Sequence, residues 1–91
     1  MKLFVIKTQD QGFAVRARNL NAAKEDFRAY CWSLRRAKDA AAPEKGSHVK
    51  ITVIEDNETL TFKSFAVDSP VFEIKSKLAS ILTRNAKEFS L

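Results

Sequence analysis

One tryptophan lies among arginines at spacings that put all of them on one side of a helix. Relative to Trp32, Arg28 is at i−4, Arg35 at i+3 and Arg36 at i+4, and residues three or four apart are neighbours on a helical surface. These residue types recognise rather than break bonds. An indole offers a large apolar body with one polar tip, and guanidinium groups stack on it. Tryptophan and arginine are also the types most enriched among the residues that dominate protein–protein binding. Glu25 and Asp39 fall on the same helical face, and such a mixture of signs suits a specific protein surface better than a uniformly negative phosphate backbone. The bland alternative is an indole lying flat on its own helix beneath the arginine stems.

Bond-making chemistry has little to work with. Cys31 and His48 are the sole cysteine and histidine, so the usual nucleophile–base arrangements reduce to that pair, and a Cys/His zinc site is excluded. Cys31 falls mid-helix beside an apolar stripe, where a cysteine acts as a small buried hydrophobe. The carboxylates are scattered through turns and helix starts, where they serve turns and helix dipoles. Gly12 and Gly46 stand alone, so there is no glycine-rich phosphate loop. The fragment Gly12-Phe13-Ala14-Val15 resembles four residues of the RNA-recognition-motif signature. Gln11 stands where that signature has a basic residue, and the fragment follows the first strand rather than the first helix, so the match is read as chance. The expectation is a chain that is not an enzyme and needs no cofactor or metal.

A second set of basic residues, Arg16, Arg18, Lys50 and Lys63, falls at the outward positions of alternating segments, among Thr52 and Thr61. On an open sheet face such residues around an apolar centre are the make-up of a single-strand nucleic-acid surface. They are equally the ordinary dressing of a solvated antiparallel face.

The elements that must position these residues follow from periodicity. Lys2–Thr8 is apolar on both faces and reads as an inner strand. Phe13–Arg18 alternates and should pair with it as a hairpin across the polar turn 9–12. Asn19 or Asn21 caps a helix running from Ala22 to about Ala41, its stripe made of Ala23, Phe27, Tyr30, Leu34, Ala37 and Ala41, with Trp32 about 180° away. Pro43 and Gly46 end it. His48–Glu55, with Val49, Ile51 and Val53 inward, and Thr59–Val67 read as two more strands. Ser69-Pro70 opens a second helix lined by Val71, Ile74, Leu78, Ile81, Leu82 and Phe89. The order ββαββα predicts one α+β domain over residues 1–91, a four-stranded antiparallel sheet with both helices on one face. The echo of Val5-Ile6 at Val53-Ile54, and of Asn21 at Ser69, allows a duplicated unit.

Residues 1–47 hold ten Lys/Arg against five Asp/Glu, and residues 48–91 hold six of each, so the whole net charge of +5 lies in the first half. No apolar run reaches the length of a membrane span and no leader pattern opens the chain, which points to a soluble cytoplasmic protein without a membrane partner. The functional expectation is a small protein-binding inhibitor or adaptor that docks through Arg28, Trp32, Arg35 and Arg36, with a nucleic-acid-handling complex as one class of partner. Inhibitors encoded by phages and mobile elements are built at this size. The alternative is direct nucleic-acid binding through Arg16, Arg18, Lys50 and Lys63. A homodimer through the helix face is a third occupant, opposed by like-charged arginines unless Glu25 and Asp39 interleave.

Overall fold

The structure, a computed structural model, describes residues 2–38, 42–54 and 71–91. Strands β1 (Lys2–Lys7) and β2 (Gly12–Ala17) form the expected hairpin, followed by helix α1 (Leu20–Arg36) and strand β3 (His48–Ile54). Strand β4 (Val71–Ile74), helix α2 (Ser76–Leu82) and strand β5 (Lys87–Ser90) complete the order. All pairings are antiparallel, in the spatial order β4-β2-β1-β3-β5.

Local chemistry explains the boundaries. The hairpin turn is closed by Thr8, whose amide donates to the Gln11 carbonyl at 2.9 Å while its Oγ1 accepts from the Gln11 amide at 3.0 Å. Asn19 is the residue that caps α1: its side-chain oxygen accepts from the Ala22 amide at 2.8 Å. Arg35 and Arg36 occupy the last turn of α1, where cations complement the helix dipole. Lys38 follows with a φ of 55°, a left-handed residue that turns the chain away after the last helical turn.

The sheet carries a helix on each face. Phe13, Val15 and Ala17 of β2, with Phe4 and Ile6 of β1 and Val49 and Ile51 of β3, make one side of the main core. Ala23, Phe27 and Cys31 of α1 close over them. Phe13, Phe27 and Tyr30 pack ring on ring, with centroids 5.1 Å apart for Phe13–Phe27 and 5.6 Å for Phe13–Tyr30. The intervening residues Gly12 and Ala14 face the other way, together with Val5, Phe72 and Ile74 by register. There α2 lies across β1 and β2, with Ala79 fully buried against Gly12.

Four expectations are corrected. Among the described residues the sheet has five strands, not four. The two helices lie on opposite faces rather than one, because β1 and β2 bury residues of both parities: Val5 and Ala14 are as buried as Ile6 and Val15. Val71–Ile74 is a strand and not the start of the second helix, which begins at Ser76, while Phe89 belongs to β5. Helix α1 ends at Arg36, short of Ala41. The expected strand Thr59–Val67, its Lys63 and Thr61, and the Ser69-Pro70 start lie outside the described residues, as does Asp39. The expected ββαββα order roughly fits, since β1-β2-α1 is followed by β3-β4-α2, with β5 added after it.

Candidate functional site

Helix α1 turns Ala23, Phe27 and Cys31 inward, so Trp32, one residue on, faces away from the sheet. Its side chain is 56% exposed, the joint largest exposure among the big apolar residues that the structure describes. The Arg36 guanidinium sits over the indole at 4.7 Å from the ring centroid, as the i+4 spacing allows. Both the exposed indole and its stacked arginine therefore stand where the helical spacing puts them.

The other two arginines have work within the fold. Arg28 lies over the Phe89 ring at 5.3 Å and donates to the Ser90 carbonyl at 3.0 Å, which ties α1 to β5. The Arg35 Nε donates to the Cys31 carbonyl at 3.3 Å, one turn back on its own helix. These bonds hold the guanidinium groups in place without neutralising them, since carbonyls carry no net charge. A shallow groove runs beside Trp32, with Ala29 and Leu91 as its apolar floor and Arg28, Arg35, Arg36 and Lys45 around it. Leu91 is fixed there by backbone bonds: its amide donates to the Ser47 carbonyl at 2.9 Å and its carbonyl accepts from the Gly46 amide at 3.1 Å. Lys45 and Leu91 are long-range contributions that helical spacing does not reveal.

A second uncovered patch was not foreseen. Val53 shares the inward parity of Val49 and Ile51, yet it is 51% exposed, because α1 crosses β2 and β4 and leaves the far end of β3 open. Leu20, at the start of α1, is exposed beside it, and Phe4 and Ile51 form the floor. Lys2, Lys24 and Lys87 border this patch.

The alternative basic set is not gathered in the same way. By register, Arg16 stands opposite Leu3, and Lys50 opposite Lys7, so strand geometry separates them by about 16 Å on the α2 face. That face is not open at its centre, because α2 lies across β1 and β2 with Ala79 against Gly12. Arg16 is further engaged with the Phe72 ring at 5.8 Å. Arg18 is exposed just beyond β2.

Cys31 is sealed in the core cluster, and burial pushes its thiol up to about 11, with the nearby Arg35 charge only partly offsetting this. A thiol held protonated in this way is a poor nucleophile. His48 is exposed at the start of β3. Among the described residues there is no cluster of three or more His, Cys, Asp or Glu that could hold a metal ion, and no helix long and apolar enough to cross a membrane. Comparison of the chain with protein-family models, with curated proteins and with solved structures finds no match.

Proposed function

We propose that this chain is a non-catalytic binding module, an inhibitor or adaptor, that docks the Trp32 face of α1 on an acidic surface of a partner protein. The observation that carries the reading is the indole at 56% exposure, fixed by Arg36 beside a groove whose four cations surround an apolar floor. Covering such a side chain at the centre of an interface contributes several kcal/mol, while the arginines supply direction and partner choice. The remaining core has no surplus of polar groups seeking a ligand, since no buried side-chain polar atom among the described residues lacks a partner. The free, buried Cys31 thiol fits action in a reducing compartment such as the cytoplasm. A nucleic-acid strand is the alternative occupant of the same cations.

The test is capture from the native host with the intact chain, Trp32→Ala and Arg36→Glu as baits, followed by titration of the captured partner. Trp32 is the only tryptophan, so its emission in the free protein should be that of a wet indole, quenched by acrylamide, and should shift to the blue on binding. Trp32→Ala is expected to weaken binding about 30-fold or more, the loss of a hot-spot residue. A partner held equally well by Trp32→Ala overturns the reading. Retention of nucleic acid alone, with affinity falling steeply in salt, replaces it with the alternative.

A further inference from the structure

The two uncovered patches are continuous. Leu20, Lys24, Arg28 and Trp32 follow one another at i+4 along α1, which makes them a single ridge on the helix surface. Beside this ridge β5 runs in the same direction, its Lys87 bordering the patch of Leu20 and its following residue Leu91 bordering the groove of Trp32. Phe89 lies between, with Lys24 and Arg28 both 5.3 Å from its ring centroid. The seam between α1 and β5 thus has an aliphatic patch at one end, an indole and Leu91 at the other, and cations along its length. Among the described residues lining the two grooves there are seven Lys/Arg and one acidic side chain, Glu88. Strand alternation sends Glu88 to the α2 side, away from Phe89.

We propose, resting on the docking function above, that this seam is a track for an extended acidic segment of the partner protein, with an apolar side chain at each end. From Leu20 to Trp32 is twelve helical positions, about 18 Å. An extended chain covers that distance in about five or six residues. One apolar side chain enters between Leu20 and Val53, the other lies against Trp32, Ala29 and Leu91, and carboxylates between them meet Lys24, Lys87 and Arg28.

The chemistry of the seam selects a polypeptide over a nucleic acid. Nucleobases bind single-strand surfaces by stacking on open aromatic faces. Here one indole face is covered by Arg36, and the Phe89 ring is 8% exposed under two cations. The far anchor is aliphatic, which suits a Leu or Val side chain and offers a base nothing to stack on. A second copy of this chain is disfavoured, because its own cations would face those of the first.

The test uses fluorescein-labelled peptides and the full chain, read by anisotropy. The probe has two leucines six positions apart with aspartate and glutamate between them. Its control has the same composition with the leucines adjacent, and a single-stranded oligonucleotide of equal charge is the second control. The spaced peptide should bind at least tenfold more tightly than either control. Val53→Asp, a change at an exposed position, should weaken it at least tenfold, as should Lys24→Glu with Lys87→Glu, while circular dichroism remains that of the folded protein. Equal binding of the two peptides, tighter binding of the oligonucleotide, or indifference to Val53→Asp overturns the track. Failure of the track is separable from failure of the docking function: a native partner lost by Trp32→Ala but kept by Val53→Asp leaves docking in place and removes the track. A partner kept by both removes both.

Discussion

Two adjacent residues of α1 meet opposite fates. Cys31 has no exposed surface and Trp32 has more than half, although a single 100° step separates them. The consequence for Cys31 is a pH effect. Its folded pKa of about 11 lies above the ordinary 9.0, so between those values the unfolded chain has released a proton that the folded chain still holds. Stability is therefore intact below about pH 9 and falls as the pH rises toward 11, with a slope approaching about 1.4 kcal/mol per pH unit. Urea unfolding at pH 8 and pH 10.5 should show this loss in the wild type, and the Cys31→Ala variant should lose less over the same interval. Equal losses would mean that the thiol is not the cause. The helical spacing pointed to an exposed indole opposite the apolar stripe, but a helix covered on both sides would have buried it, so the exposure itself was not legible in the sequence. Nor was the division of labour among its arginines: Arg28 reaches Ser90, sixty-two positions away, and spacing carries no information about such a contact.

At the scale of elements, β1, β2, β3 and α1 were readable because each shows one dominant period and a clear stop. The last twenty-one residues were not. Val71, Ile74, Leu78, Ile81 and Leu82 fit a helical stripe, but Val71 and Phe72 are both buried, on opposite faces of a strand covered from two sides. A short run of that kind has no alternation to distinguish it from a helix. Strand β5 offers a single buried apolar residue, Phe89, too little to establish a period. The position of α2 depends on Gly12, where an added Cβ would stand 2.4 Å from the Ala79 Cβ. Gly12→Ala should therefore force α2 away from the sheet and cost about 1–3 kcal/mol, the usual range for overpacking. Thermal unfolding measures the cost. Pairing the change with Ala79→Gly, which removes the opposing methyl group, should recover part of it. No recovery in the double variant would show that the close approach does not account for the loss.

Among the described residues the molecule is an antiparallel sheet with α1 on one face and the shorter α2 on the other. Its charge follows this asymmetry: the cations of α1 and β5 lie along one seam, while α2 covers the centre of the opposite sheet face and leaves Arg16 and Arg18 exposed at its margin. The terminal strand β5 raises a question about self-association. The Leu91 amide bonds inward to Ser47, so by alternation the peptide groups of Ser90 point outward, where another strand could pair with them. Arg28 fills the Ser90 carbonyl instead and places a charge at the rim. Natural sheets guard their margins with cations of this kind. Removing the guanidinium by Arg28→Ala should leave the monomer folded yet make it prone to add strand upon strand, with light scattering and thioflavin fluorescence rising with protein concentration while the wild type stays clear. In that view the arginine that helps to attract a partner also keeps the molecule from polymerising with itself.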